Sequence, residues 1–149
     1  MARSMAFDFG ERRIGVAVSD PTRTIATPLA TLARRPGKRP PWPEIGRLVG
    51  EQEVDECVVG LPLGLDGDEG PWAAEVREFG AELERRTGLP VRWVDERMTS
   101  VLAERAIREL GLKRSDRRDK ERVDAAAAAI ILEGWLTRRR REAQEAADA

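Results

Sequence analysis

Short apolar runs along the chain alternate with segments in which apolar residues recur at helical spacing. The apolar runs predict strands at residues 5–9, 13–19, 26–33, 56–61 and 91–94. The helical spacing predicts helices at residues 44–53, from Pro71 to near Gly88, at 99–110 and from about 120 to 136. Turn-forming and charged residues predict the main loops at 10–12, 34–43, 62–70 and 113–119.

This order of elements indicates an α/β fold. Three consecutive strands predict an antiparallel meander, and the helix–strand alternation that follows predicts βα units. We therefore expect a mixed five-stranded sheet flanked by helices, in one domain over residues 1–137. Residues 138–149 are polar and are expected to fray into solvent. Ligands of such sheets collect at the carboxyl ends of the strands, so polar residues there are the first candidates for a site.

The composition argues against several functional classes. The formal net charge is −1, so no global basic field indicates a nucleic-acid partner. The chain has no histidine and one cysteine, which argues against a zinc site. Cys57 lies in an apolar run, as is typical of a reduced core residue in a cytoplasmic protein. No apolar run reaches transmembrane length and the N-terminus lacks a signal-peptide hydrophobic region, so no membrane association is expected.

Three acidic residues stand in contexts that make them candidates for a metal site. Asp8 interrupts an apolar strand, Glu96 closes another, and Asp124 begins a stretch of small apolar residues. A carboxylate is costly to bury unless it is paired, protonated or bound to a metal. If the three converge, a divalent cation would relieve their repulsion, and hard cations such as Mg²⁺ prefer oxygen ligands. All-carboxylate centres of this kind typically act on phosphates.

Each of the three also has an ordinary structural interpretation. Asp8 could be an edge-strand carboxylate facing water, and Glu96 a solvated residue at a strand end. Asp124 could be a first-turn carboxylate favoured by the helix dipole, and Lys120 could pair with it from one turn earlier. The small residues two positions to either side of Asp8 favour the functional interpretation, because they leave room for a metal and a phosphate.

Several short segments together resemble one known family. In chain order they are Phe-Asp-Phe-Gly at 7–10, Ile-Gly-Val-Ala-Val-Ser-Asp at 14–20, Val-Gly-Leu-Pro-Leu at 59–63, Asp-Gly at 66–67, Asp-Glu-Arg at 95–97, and Val-Asp-Ala at 123–125 with Ile-Ile-Leu at 130–132. These segments resemble the YqgF/RuvX family, and the resemblance extends from about Met5 to Leu136. The motifs are weak singly but specific in this order and spacing.

The resemblance implies a fold, an activity and a set of site residues. Members have an RNase H-like fold and are described as pre-16S rRNA nucleases or Holliday junction resolvase-like proteins. It implies that Asp8, Glu96 and Asp124 are catalytic and hold Mg²⁺ or Mn²⁺, and that Asp95 is a neighbouring polar group. It also implies a cytoplasmic hydrolase that cleaves phosphodiester bonds, in 5′-end processing of pre-16S rRNA during ribosome biogenesis. The sequence departs from the family in the loop 34–43 and in the tail after Leu136.

Substrate contacts are expected from a glycine turn and from basic residues near the acidic ones. The candidates are Gly10, Arg12, Arg13, Arg97, Arg114, Arg117, Arg118, Lys120 and Arg122. Taken singly, each basic residue is more often a solvated surface residue. The four tryptophans are expected to be core or half-buried anchors, with Trp72 the best candidate for stacking on a base.

Three other functions are compatible with parts of this pattern. Branched DNA could replace precursor rRNA as the substrate, as it would for a Holliday junction resolvase-like endonuclease. A ribosome-maturation factor could retain the fold and bind nucleic acid or ribosomal particles without turnover. An actin-like ATPase also carries Asp-x-Gly at a strand–turn–strand, but it needs two domains, and 149 residues do not supply two. The sequence allows either a monomer or a homodimer.

Overall fold

Five strands form one mixed sheet in this computed structural model, which describes residues 2–35, 39–98 and 117–149. The strands are β1 Arg3–Phe9, β2 Arg13–Ser19, β3 Ala26–Ala33, β4 Val54–Leu61 and β5 Val91–Asp95. The helices are α1 Trp42–Glu51, α2 Pro71–Thr87, a short 3-10 helix Glu96–Met98, and α3 Arg117–Asp148. The strand order across the sheet is β3-β2-β1-β4-β5.

The central strand β1 has one antiparallel and one parallel neighbour. It pairs antiparallel with β2 through a tight turn, where Gly10 N donates to Arg13 O at 2.9 Å. A Cβ at Gly10 would lie 2.7 Å from Arg13 O, so this turn requires glycine. On its other side β1 runs parallel to β4, and β4 runs parallel to β5. The predicted mixed five-stranded sheet with an antiparallel start is confirmed.

Strand alternation divides the sheet into two faces with different cores. Met5, Phe7 and Phe9 of β1 face a core of large side chains that α1 and α2 cover. Ala6, on the opposite face, joins a second core of small and aliphatic residues under α3. In that core Ile131 is fully buried, and truncating such a side chain to alanine costs about 2–5 kcal/mol. By the same alternation, Asp8 lies on the face that α3 covers.

The aromatic residues pack against the first core. Phe9 stacks on Trp72 with ring centroids 5.5 Å apart, and on Phe79 at 4.5 Å. Trp42 stacks on Phe79 from α1, and Trp93 also packs against this core. These positions agree with the expectation that the tryptophans are core or half-buried anchors. Trp135 likewise packs against the second core.

A polar cluster fastens the second half of α3 to the amino ends of β1 and β4. Glu56 is 6% exposed and accepts hydrogen bonds from Ser4 Oγ at 2.6 Å, Trp135 Nε1 at 2.9 Å and Arg139 Nη1 at 3.1 Å. Burial opposes ionisation of Glu56, but the hydrogen bonds from Ser4 and Trp135 and the charge of Arg139 outweigh it and lower its pKa. The cluster lies at the end of β1 opposite to Asp8.

The predicted end of the last helix at Leu136, with a frayed tail after it, is wrong. Helix α3 begins at Arg117 and continues to Asp148, so residues 138–148 are helical. Contacts with the sheet and with the helix itself explain the extension. Arg139 reaches Glu56, Arg140 donates to the carbonyl of Thr24 at 3.2 Å, and Arg138 pairs with Glu142 one turn later.

The other boundaries differ by a few residues or fall outside the described ranges. Helix α1 begins at Trp42 rather than residue 44, and α2 ends as expected before Gly88, whose φ is 71°. The predicted helix 99–110 and most of the loop 113–119 lie outside the described residues. Cys57 is buried, and burial raises the pKa of its thiol to about 12, as expected of an unreactive core cysteine. None of the described helices has the length and apolar content to span a membrane.

Candidate metal and nucleic-acid site

Asp8 lies near the carboxyl end of β1, with glycines at the neighbouring positions of the adjacent strands. Its partner on β2 is Gly15. On β4, Val59 pairs with Phe7 in a parallel ladder, so the next residue, Gly60, lies beside Asp8. Glycines therefore flank this carboxylate on both neighbouring strands, and they place no side chain on the face of the sheet that α3 covers. Asp8 is 8% exposed.

Glu96 reaches the same face from the end of β5. It opens the 3-10 helix directly after the strand and is 2% exposed. A Cβ at Gly60 would lie 2.9 Å from Glu96 Oε1 and 2.6 Å from Ile131 Cδ1. The absence of a side chain at Gly60 thus lets the Glu96 carboxylate and α3 approach the strand together. Asp95 faces the other way, as alternation requires.

Asp124 enters the site because α3 packs closely on β2. A Cβ at Gly15 would lie 2.5 Å from the carbonyl carbon of Asp124 and 3.1 Å from Ala125 N. The helix backbone therefore rests on the bare strand at the position that pairs with Asp8. The Asp124 carboxylate accepts a hydrogen bond from Arg13 Nε at 2.5 Å, and these two side chains are 22% and 29% exposed.

A cleft of about 330 Å³ opens at this end of the sheet. The residues that line it are Asp8, Phe9, Gly10, Glu11, Arg12, Arg13, Trp72 and Asp124. Acidic groups and arginines share the cleft with the exposed side of the Phe9–Trp72 stack. Such a cleft offers cationic groups for a phosphodiester and an aromatic surface for the base attached to it.

The three predicted acidic residues share a face of the sheet without forming a ready-made ion cage. Among the described residues, no group of three His, Cys, Asp or Glu side chains is arranged so that it could hold a metal ion. Asp8 and Asp124 line the cleft, whereas Glu96 is buried beside Gly60. Asp124 is engaged by Arg13. The oxygen donors suit a hard cation, but the carboxylates would have to turn toward one another to share it.

The predicted substrate contacts divide into three groups. Gly10, Arg12 and Arg13 line the cleft, and Arg12 is exposed there. Arg97 is instead held by Asp95 through a 2.7 Å bond and also donates to the carbonyl of Leu65 at 3.3 Å. The hydrogen bond from Arg97 lowers the pKa of Asp95 and ties its carboxylate to the turn that follows β5.

The remaining candidates lie on or before α3. Arg122 is exposed on the first turns of the helix. The other candidates fall outside what the structure describes, either as whole residues or as side chains, and they are Arg114, Arg117, Arg118 and Lys120. The possible pair between Lys120 and Asp124 is among the features that lie outside it.

Sequence reasoning missed Glu11, which lines the cleft, and Arg34, which supports the turn at its edge. Arg34 Nη1 donates to the carbonyls of Gly10 and Glu11, each at 2.9 Å, and its guanidinium lies 4.5 Å from the centre of the Phe9 ring. It holds the turn that carries Arg12 and Arg13. The sequence analysis placed Arg34 in the loop 34–43. Its position one residue after β3, whose last residue Ala33 pairs with Arg13, is the signal that could have identified it.

The strand order and the flanking helices give an α/β protein with an RNase H-like fold, and Asp8 and Asp124 line a cleft at the strand ends. The solved structure of Thermus thermophilus RuvC bound to a Holliday junction substrate matches with a TM-score of 0.56 at 18% identity, and the match covers 93% of this chain and 96% of that one. A second Thermus thermophilus RuvC structure matches with a TM-score of 0.51 at 12% identity, over 92% and 95%. At these identities the likeness establishes the fold alone.

Residues 2–138 match the RuvX family, which is described as Holliday junction resolvase, and the chain belongs to that family. Relatives named "Putative pre-16S rRNA nuclease" include one from Maridesulfovibrio salexigens, 41% identical over 90% of this chain and 97% of its own length. Another, from Roseiflexus sp., is 46% identical over 93% and 96%. A third, from Chromobacterium violaceum, is 47% identical over 89% and 95%. The predicted family is confirmed.

Proposed function

We propose that this chain is a metal-dependent nuclease that hydrolyses phosphodiester bonds of pre-16S rRNA during ribosome maturation. The observation that supports this function best is the family match over residues 2–138, which includes all three acidic residues on the α3 face of the sheet. The relatives that share 41–47% of its residues carry a name that states the same substrate. The arginines and the aromatic wall of the cleft suit an RNA strand better than a small molecule.

Asp8, Glu96 and Asp124 are the residues that would hold Mg²⁺ or Mn²⁺. All are oxygen donors, and Asp8 and Glu96 are only 8% and 2% exposed, where a compensating cation lowers the cost of keeping them ionised. When bound, the cation would supply Lewis-acid stabilisation of the charge that develops on the phosphate. The chain itself provides the rest of the site.

The chain's own residues would bind and orient the strand. Arg12 is exposed at the rim, where a guanidinium can contact a backbone phosphate in bidentate fashion. Trp72, stacked on Phe9, gives the cleft an apolar wall on which a base can lie. Arg34 keeps the Gly10 turn in place through two hydrogen bonds, so the rim is fixed before the substrate arrives.

A cleavage assay with matched substrates tests this function. The substrates are an RNA that spans the 5′ boundary of 16S rRNA, a four-way DNA junction, and single strands of each, with Mg²⁺ or Mn²⁺. We expect cleavage of the RNA, and we expect Asp8→Asn and Glu96→Gln to abolish it while RNA binding persists. Glu51→Gln is the matched control, because it removes a carboxylate that is exposed on α1 and pairs with Arg47.

The alternatives give distinct outcomes in the same assay. Preferential cleavage of the junction, lost in Asp8→Asn, would replace RNA by branched DNA, in line with the family description. Tight RNA binding with no cleavage under any metal condition would indicate a maturation factor without turnover. Glu96→Gln that cuts at the wild-type rate would remove Glu96 from the catalytic set. Co-sedimentation with pre-ribosomal particles from a cytoplasmic extract would test the proposed partner and compartment.

A further inference from the structure

Arg13 occupies the carboxylate through which Asp124 would bind a metal. Its Nε lies 2.5 Å from Asp124 Oδ2, within a charge-assisted hydrogen bond. The pair lines the same cleft as Asp8. The guanidinium neutralises the Asp124 carboxylate and holds Oδ2 toward itself, so this contact opposes ligation of a metal ion by that oxygen.

The backbone around Arg13 and Asp124 is closely packed, so rotation of the two side chains is the simplest way to open their contact. Arg13 is the first residue of β2, and Asp124 lies where α3 rests on Gly15. Both side chains retain access to solvent, with 29% and 22% of their surface exposed. The arginine can therefore leave the carboxylate and turn further into the cleft that it lines, without movement of the strand or the helix.

We propose that Arg13 is an exchange residue. It neutralises Asp124 in the metal-free protein, gives up that carboxylate when a divalent cation binds, and then contacts a phosphate of the nucleic acid in the cleft. The proposal rests on the proposed metal site and adds the order in which its parts assemble. It also accounts for the lack of a three-carboxylate group among the described residues, because one of the three carboxylates is turned toward Arg13.

Metal affinity in the absence of nucleic acid is the decisive measurement. The dissociation constant of Mn²⁺ is measured by titration with detection of free Mn²⁺ by electron paramagnetic resonance. We expect Arg13→Gln to bind Mn²⁺ more tightly than the wild type, by about tenfold, because the ion no longer competes with a hydrogen-bonded cation. Arg12→Gln is the matched control: it removes the same charge from the adjacent, exposed position, so it reports the general electrostatic effect alone.

A double-variant cycle separates competition from a change in folding. If Arg13 acts through Asp124, Arg13→Gln should change Mn²⁺ affinity in an Asp124→Asn background by no more than Arg12→Gln does. Arg13→Lys keeps a cation but lacks the guanidinium Nε that makes the bond, and its affinity should lie between wild type and Arg13→Gln. Thermal unfolding of each variant shows that the comparison is made among folded proteins.

Nucleic-acid binding supplies the second half of the test. With Ca²⁺ in place of Mg²⁺ to limit turnover, wild-type RNA affinity should rise when the metal is added. In Arg13→Gln the metal-induced rise in RNA affinity should be several-fold smaller than in the wild type, although the variant binds the metal more tightly. This opposition between metal and RNA affinity is not expected of a residue with a purely structural role.

The outcomes distinguish this proposal from the proposed function. If wild type binds Mn²⁺ and Arg13→Gln binds it equally or more weakly, the exchange is refuted and the metal site stands. If Arg13→Gln and Arg12→Gln tighten Mn²⁺ binding equally, the effect is general electrostatics and the exchange is again refuted. If neither wild type nor any variant binds Mn²⁺, the metal site and the exchange fail together.

Discussion

Replacement of Gly15 by alanine should displace α3 from the sheet and disable the site. The added Cβ would lie 2.5 Å from the carbonyl carbon of Asp124 and 3.1 Å from Ala125 N. These atoms belong to the helix backbone, so rotation of a side chain cannot relieve the overlap. Ordinary contacts of a Cβ atom begin at about 3.4 Å, and the carbonyl oxygen of Asp124 is closer still than its carbonyl carbon, so the helix must move by more than about 1 Å at this point.

The expected cost follows from the geometry of that contact. Overpacking of a well-packed core typically costs about 1–3 kcal/mol. The upper part of this range applies because the atoms that the added Cβ meets belong to the helix backbone. For a protein of this size, about 3 kcal/mol lowers the melting temperature by roughly 10 °C. The shift would also move Asp124 away from Asp8, which pairs with Gly15 across the two strands. We therefore expect weaker Mn²⁺ binding and at least a tenfold loss of cleavage in the folded variant.

Urea unfolding and Mn²⁺ titration of the same samples check both effects. Gly46→Ala is the control, because a Cβ at Gly46 meets nothing within 4 Å and alanine in a helix interior is favourable by about 0.5–1 kcal/mol. If Gly15→Ala unfolds within 0.5 kcal/mol of wild type and binds Mn²⁺ equally well, the inferred close contact between β2 and α3 is incorrect.

Two further predictions concern acid stability and the actin-like alternative. Hydrogen bonds hold the pKa of Glu56 below its ordinary value of 4.5, so its contribution is complete above that pH and is lost as the pH falls through the lower, folded-state pKa. Glu56→Gln should therefore lower the free energy of unfolding by roughly 1–3 kcal/mol at pH 7. In urea titrations at pH 7 and pH 3, the variant should lose less stability on acidification than the wild type. Parallel pH profiles of the two proteins would contradict this. ATP with Mg²⁺ should not be hydrolysed, and steady phosphate release that disappears in Asp8→Asn would favour an actin-like ATPase instead.

Much of the fold could be predicted because its signals are local. The alternation in β1 and β2, the glycine turn between them and the proline that opens α2 all act within a few residues, and the corresponding elements lie close to where they were expected. The long α3 was not predicted in full because residues 138–148 have no apolar periodicity. Its order comes from contacts such as Arg139 with Glu56, 83 residues apart in sequence, which no window along the chain can detect.

The candidate site shows the same limit at the level of single side chains. Strand alternation alone puts Arg13 on the face of Gly15 and Ala17, under α3, whereas Arg12 belongs to the turn before the strand. The sequence could therefore have separated two arginines that it treated as equivalent. It could not have paired Arg13 with Asp124, because 111 residues separate them and their meeting depends on a helix that touches β2 at a bare glycine. The acidic residues can be recognised from motifs, but the neighbour that competes for one of them is specified only by tertiary packing.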